Sequence, residues 1–215
     1  MSPRETSSQV GALLSGIKSA ASPFRTYLKE LHARFSGVSE GRVADYIPEL
    51  AKANPDWFGI AVTTVNGQTY EIGDCRQNFT IQSVSKPFMY GLALEDNGRD
   101  RTLSRVGVEP TGDAFNSIIK LDAKSGRPQN PMVNAGAIAT AGLVKGAHVT
   151  ERFNRLGAMF ARYAGRPLAV DMAVYTSERT TGHRNRSLEH LMLNLGMLDP
   201  NVDETLDLYF QQCSV

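Results

Sequence analysis

A serine and a lysine three positions apart, Ser83 and Lys86, are the residues of this sequence best suited to covalent catalysis. On a helix this spacing places both side chains on one face, one turn apart. A serine hydroxyl is a weak nucleophile at neutral pH and needs a base within hydrogen-bond reach. A lysine can be that base if its surroundings keep it neutral. The pair is therefore a candidate for acyl transfer, with helix N-terminal N–H groups available to stabilise an oxyanion.

The Ser-x-x-Lys pattern also occurs at residues 15–18 and 117–120. The first copy lies in a segment rich in Ser, Gly and Ala, and the second lies in a short amphipathic patch that is typical of a solvated face. Ser83 alone follows a predicted hairpin and opens a long apolar helix. A competing interpretation is that Ser83 caps this helix while Lys86 points to solvent. Spacing and context by themselves leave both interpretations open.

The composition is that of an ordinary globular chain, with 41% hydrophobic and 21% charged residues among 215. The formal net charge is +1 without a long run of like charges, which argues against nucleic acid or an anionic membrane as a partner. No apolar run is long enough to span a bilayer, and no sustained apolar segment near the N-terminus predicts a secretory signal. Cys75 and Cys213 lack metal-ligand spacing and favour a reduced, cytoplasmic chain with no metal.

The pattern of predicted elements is one helix, one β-hairpin and then a run of helices, which indicates an α+β fold. Residues 1–22 are predicted to be a flexible tail or linker, and residues 174–185 a polar loop. Asn66-Gly67 predicts a two-residue hairpin turn, and Phe79 to Gln82 is predicted to be the end of a strand that leads into the helix of Ser83. The predicted elements are helices at residues 24–35, 83–97, 132–144, 150–163, 187–198 and 203–213, and a hairpin at residues 57–72.

Six motifs occur together and in order, and as a set they are specific. They lie at residues 45–48 (Asp-Tyr-Ile-Pro), 82–87 (Gln-Ser-Val-Ser-Lys-Pro), 106–112, 130–138 (Asn-Pro-Met-Val-Asn-Ala-Gly-Ala-Ile), 177–185 and 209–214 (Tyr-Phe-Gln-Gln-Cys-Ser). From about residue 40 to the end, the sequence resembles the serine-dependent glutaminase family of L-glutamine amidohydrolases. The resemblance implies a β-lactamase or penicillin-binding-protein-like fold, an antiparallel sheet flanked by helices with a helical subdomain. It also implies hydrolysis of L-glutamine to L-glutamate and ammonia without cofactor or metal, by a homo-oligomer.

The resemblance implies roles for individual residues. Ser83 corresponds to the nucleophile, which also contacts the substrate. Lys86 corresponds to the general base, and Tyr46 corresponds to a hydroxyl that shares proton transfer. Four further residues correspond to substrate contacts: Asn134, Glu178, Asn185 and Tyr209. Glu178 suits the ammonium of free glutamine, and the amides and the phenol can donate to its carboxylate. Without the motifs, each of these four has an ordinary structural interpretation as a buried, solvated or core side chain.

The sequence departs from the family pattern after residue 214. Family members continue with a Cys-Gly-Met-Tyr-Asp-like segment and with a Lys-Ser-Gly-Val strand that carries an oxyanion-hole amide. We therefore expect residues 23–215 to be the N-terminal two-thirds of a glutaminase catalytic domain, truncated at its C-terminus. Two alternatives stay open: a non-catalytic fragment or interaction module of a glutaminase, and a penicillin-recognising relative.

Overall fold

The computed structural model describes residues 22–110, 112, 121–122 and 124–215. These residues divide into two compact units, one formed by residues up to 44 with 53–78, the other by residues 45–52 with 79–215. Helices and one two-stranded antiparallel sheet make up the described secondary structure, which confirms the predicted α+β class. Residues 1–21 of the predicted tail lie outside the described residues, as do the Ser-x-x-Lys copies at 15–18 and 117–120.

The smaller unit contains helix α1 (Pro23–Phe35) and the strands β1 (Gly59–Thr63) and β2 (Thr69–Gly73). Proline suits the first turn of α1 because the N–H that it lacks has no intrahelical acceptor there. The strands pair in the register that places Gly59 opposite Gly73 and Thr63 opposite Thr69. The helix packs on this hairpin through its Phe24 ring, which meets the Tyr70 ring edge-on at 5.0 Å between centroids. The predicted helix and hairpin are thus confirmed.

The hairpin turn differs from the predicted two-residue Asn66-Gly67 turn. Gly67 N–H donates to Thr64 O over 2.8 Å, and Thr64 N–H donates to Gln68 O over 2.9 Å, which closes a three-residue loop. Gly67 has a φ of 81°, whereas Asn66 does not have the positive φ that a type I′ turn requires. The turn is therefore a three-residue loop that ends on a left-handed glycine.

The larger unit is helical and is built around one short helix of small residues, α3. Its buried alanines, Ala135, Ala137, Ala139 and Ala141, let neighbouring helices approach closely, and Ile138 is fully buried among them. The helices of this unit are α2 (Ser85–Arg105), α3 (Asn134–Gly142), α4 (Val149–Ala164), α5 (Met172–Thr181), α6 (His183–Asn194) and α7 (Val202–Cys213), with 3₁₀ turns at Leu50–Lys52 and Gln82–Val84.

The predicted polar loop at residues 174–185 is wrong, because this segment is helical. Asp171 caps helix α5, since its Oδ1 accepts from Ala173 N–H over 2.9 Å and from Val174 N–H over 3.1 Å. An Asp before a run of helix-compatible residues is the sequence signal that could have located this helix. Glu178 consequently lies on α5 and Asn185 on α6, so both are held by regular backbone.

Other predicted boundaries change as well. Helix α2 breaks at Gly98, with φ 74° and ψ 170°, as the Asn-Gly signal predicted, but helical turns resume and run to Arg105. Helix α4 is capped by His148, whose Nδ1 accepts from Glu151 N–H, rather than by Thr150. Residues 79–81 form no strand before the 3₁₀ turn.

Across the described part of the chain, no helix combines the length and the apolar character that a membrane crossing requires.

Candidate functional site

Ser83 lies in the 3₁₀ turn Gln82–Val84, which runs directly into α2. Gln82 has a φ of 46° and is the one non-glycine among the described residues in the left-handed region, a conformation that costs free energy and is concentrated at functional sites. Ser85 helps to hold the turn, because its Oγ donates to Gln82 O over 2.6 Å. The chain thus presents the exposed Ser83 side chain on a strained turn at the start of a long helix.

Lys86 is buried, with 2% of its surface exposed. Its Nζ donates to Asn134 Oδ1 over 2.9 Å and to Met132 O over 3.1 Å. Burial lowers the pKa of the Lys86 ammonium, and the nearby Cys213 and Glu178 oppose this effect more weakly. The interpretation in which Lys86 points to solvent is therefore wrong, and its environment shifts the amine toward the neutral form that a base requires.

Asn134 connects Lys86 to a second buried amide. Its Nδ2 donates to Asn185 Oδ1 over 3.1 Å. A lysine side chain offers donors to Asn134, so Oδ1 of Asn134 must face Lys86 and Nδ2 must face Asn185. The same reasoning fixes the orientation of the Asn185 amide. Its Oδ1 accepts from Asn134, so its Nδ2 can donate to another group.

A cavity of about 240 Å³ lies beside this chain of amides. It also carries residues to which the sequence assigned no role, including Arg184 and Cys213. Arg184 directly precedes Asn185 in the first turn of α6, and this adjacency is the signal that could have drawn attention to it. Lys86 reaches the site through its hydrogen bond to Asn134. The predicted site residues that line the cavity are Tyr46, Ser83, Asn134, Glu178, Asn185 and Tyr209.

Glu178 is the buried carboxyl of the cavity, with 6% of its surface exposed. Its Oε2 has no hydrogen-bond partner among the described residues. Burial raises the pKa of Glu178 to about 7, although the positive charge of Lys86 acts in the opposite direction. A cation bound beside Glu178 would favour the carboxylate form, because an opposite charge within a few ångströms stabilises it.

Two phenols flank the cavity. Tyr209 is buried, and burial raises the pKa of its phenol well above the usual value, with Cys213 and Glu178 adding to the effect. Tyr46 is half-exposed, and its hydroxyl donates to Gln82 Oε1 over 3.4 Å. Partial burial raises the pKa of Tyr46 as well. Both phenols therefore keep their protons at neutral pH and remain hydrogen-bond donors.

The end of α7 is tied to the turn that carries Ser83. Gln212 Nε2 donates to Ser85 Oγ over 3.2 Å, and Ile81 N–H donates to Val215 O over 2.8 Å. These bonds hold the helix of Tyr209 beside the candidate nucleophile. Among the residues that the structure describes, no three His, Cys, Asp or Glu side chains are grouped so that they could hold a metal ion.

The family model described as Glutaminase matches residues 41–215. A glutaminase from Trichormus variabilis is 64% identical over 194 residues, which cover 90% of this chain and 58% of the relative. A glutaminase from Clostridium botulinum is 48% identical over 180 residues, which cover 83% of this chain and 59% of the relative. The chain thus spans 58% and 59% of the length of these two curated relatives.

Solved structures of similar proteins agree with this family match. The native form of Mglu superposes with a TM-score of 0.84 at 42% identity, over 91% of this chain and 47% of that chain. The probable glutaminase YbaS superposes with a TM-score of 0.84 at 36% identity, over 88% of this chain and 62% of that chain. The sequence and the fold together show that this chain belongs to the glutaminase family.

Proposed function

We propose that this chain carries the nucleophile and the base for hydrolysis of L-glutamine to L-glutamate and ammonia through a seryl acyl-enzyme. The observation that carries the proposal is the buried Lys86, one turn after Ser83 and hydrogen-bonded through Asn134 to Asn185 in the same cavity. Membership of the glutaminase family supports glutamine as the substrate.

In this mechanism Lys86 accepts the proton of Ser83 Oγ as that oxygen attacks the side-chain amide carbon of glutamine. Collapse of the tetrahedral intermediate breaks the C–N bond, and the departing nitrogen takes a proton from Lys86 and leaves as ammonia. Water then attacks the γ-glutamyl ester on Ser83, which releases glutamate and restores the hydroxyl. Tyr46 shares proton transfer, and the Ser83 N–H supplies one oxyanion donor.

Recognition would use the charged groups of the free amino acid. Glu178 takes the ammonium, and Asn134, Asn185 and Tyr209 donate to the carboxylate. If one of these buried side chains is left without its hydrogen-bond partner, binding loses about 1–3 kcal/mol. The site therefore disfavours a bare amide, which lacks the ammonium and the carboxylate.

The test is ammonia release from L-glutamine by the purified chain and by its Ser83→Ala variant. We expect the variant to lose at least about 1000-fold in turnover, because both steps pass through Ser83. Ser39→Ala, a change at an exposed serine in the other unit, is the matched control. Mass spectrometry of quenched reactions should detect a γ-glutamyl adduct on Ser83.

Turnover by Ser83→Ala at the wild-type rate would overturn the proposal. Absence of turnover in a folded wild-type chain would favour the alternative of a non-catalytic fragment or interaction module. Covalent labelling of Ser83 by a β-lactam without glutamine hydrolysis would favour a penicillin-recognising relative instead.

Further predictions accompany the proposal. The resemblance implies that residues 23–215 form the N-terminal two-thirds of a catalytic domain, that the protein is a homo-oligomer, and that it needs no cofactor. Cysteine usage favours a cytoplasmic protein. Light scattering would measure the oligomeric state, and turnover in the presence of a chelator would test independence from metal.

A further inference from the structure

The turn that presents Ser83 is held by two polar side chains that the proposed mechanism does not use. Ser85 Oγ donates to Gln82 O over 2.6 Å, and Gln212 Nε2, from α7, donates to Ser85 Oγ over 3.2 Å. Both side chains are fully buried, and neither is among the described residues that line the cavity. They are therefore placed to act on the turn and not on a bound substrate.

The direction of these two hydrogen bonds is fixed. A hydroxyl has one hydrogen, which Ser85 gives to the Gln82 carbonyl, so Ser85 Oγ can only accept from Gln212. Gln212 must consequently present its Nε2 to Ser85 and not its Oε1. That Oε1 is buried without a hydrogen-bond partner among the described residues. An unsatisfied buried oxygen lowers stability, which indicates that Gln212 does more than pack the interior.

The Gln82 carbonyl belongs to the same peptide group as the Ser83 N–H. A planar trans peptide directs its C=O and its N–H in opposite directions, and no described peptide bond is cis. Fixing Gln82 O toward the buried Ser85 therefore fixes the Ser83 N–H on the opposite side. The same bond supports the left-handed backbone of Gln82, with φ 46°, which persists only where the surroundings hold it.

We propose that Ser85 and Gln212 are positioning residues that hold the Ser83 N–H in the direction of the developing oxyanion. The inference rests on the proposed function, in which this N–H is an oxyanion donor. Without the bond from Ser85, Gln82 can relax from its left-handed conformation, and the peptide can turn its N–H away. Loss of an oxyanion donor lowers turnover on the order of 100- to 1000-fold, so partial misplacement is measurable.

The experiment compares the wild-type chain with its Ser85→Ala variant in two reactions. A fluorophosphonate probe reports on Ser83 without glutamine, because Oγ attacks phosphorus and displaces fluoride, and mass spectrometry follows the adduct. Ammonia release from L-glutamine gives kcat and KM. We expect Ser85→Ala to lower the labelling rate constant and kcat about tenfold or more. KM should change less than about twofold, because the variant removes no contact with substrate.

A double variant separates positioning from stability. Ser85→Ala leaves the Gln212 amide N–H buried and unpaired, and adding Gln212→Leu removes that group, so the melting temperature should rise again. The labelling rate should stay low, because Gln82 O still lacks its hydroxyl donor. Ser104→Ala is the matched control, since Ser104 Oγ also donates three residues back, to Arg101 O, at an exposed position of α2.

Labelling of folded Ser85→Ala at the wild-type rate would overturn the inference and leave the proposed function intact. Recovery of labelling together with melting temperature in the double variant would show a structural role and would also overturn it. The double variant carries the comparison if Ser85→Ala does not fold, and labelling alone decides it if the wild type releases no ammonia. Absence of both labelling and turnover in the folded wild-type chain would instead contradict the proposed function.

Discussion

Asn134 accepts from Lys86 through Oδ1 over 2.9 Å and donates to Asn185 through Nδ2 over 3.1 Å. One buried amide therefore links the proposed base to a proposed substrate contact. Because an amide has one acceptor end and one donor end, the orientation of each group in this chain depends on the next. Perturbing any member should affect both catalysis and binding.

Asn134→Asp should lower turnover about tenfold or more at pH 7 and move the pH–rate profile to higher pH. A buried carboxylate beside Lys86 favours the ammonium and raises the pKa of the base, so the neutral amine appears only at higher pH. The measurement is kcat for ammonia release between pH 6 and 10. Asn194→Asp, at an exposed position of α6, is the control. An unshifted profile in Asn134→Asp would show that Lys86 is not the base.

Glu178 should make substrate binding depend on pH near neutrality. Its pKa is raised to about 7 by burial, so the carboxylate that would hold the ammonium forms as the pH rises through 7. We expect KM for L-glutamine to fall between pH 6 and 8, and KM of Glu178→Gln to be higher and flat over this range. Glu30→Gln, at an exposed position of α1, should behave like the wild type. A wild-type KM that rises with pH would contradict this role.

Glu189 should lower the stability of the protein at alkaline pH. It is fully buried on α6, and burial raises its pKa to about 7 although His190 and Arg186 act in the opposite direction and Asp203 adds to the rise. The folded pKa exceeds the unfolded value, so the stabilising contribution is fully present below about pH 4.5 and is lost as the pH rises through 7.

Glu189→Gln should therefore have a higher melting temperature than the wild type at pH 8 and a similar one at pH 5. Thermal unfolding followed by circular dichroism at both pH values measures this difference, with Glu30→Gln as the control. A Glu189→Gln variant that is equally destabilised at both pH values would mean that the ionised carboxylate has a partner in the folded protein.

Two glycines in helices should respond in opposite ways to alanine. A Cβ at Gly136 would lie 1.9 Å from Asn130 O, so alanine must push the preceding loop away from α3 at a cost of about 1–3 kcal/mol. A Cβ at Gly157, on α4, meets nothing within 4 Å, so alanine there should stabilise by about 0.5–1 kcal/mol. Chemical denaturation gives both free energies of unfolding. Equal effects would mean that the loop does not pack on α3 as described.

Most of the local structure could be predicted from the sequence. Pro23 and the apolar spacing after it predicted α1, and the Asn66-Gly67 pair after a run of apolar and β-branched residues predicted the hairpin, because these signals act over a few neighbouring residues. The hairpin's loop length was mispredicted, since the Asn-Gly signal does not say which residue takes the positive φ. The helices around Glu178 and Asn185 were missed because their polar composition masked the cap at Asp171.

The sequence by itself determined the chemical groups of the site: a serine and a lysine one helical turn apart, and a set of motifs that together indicate a glutaminase. Only the tertiary structure decided how those groups are placed. The burial of Lys86 depends on α3, whose Asn134 is 48 residues away, and the orientation of the Asn185 amide depends on a bond across another 51 residues. Such long-range contacts leave no local pattern in a sequence, because they are set by how the helices pack.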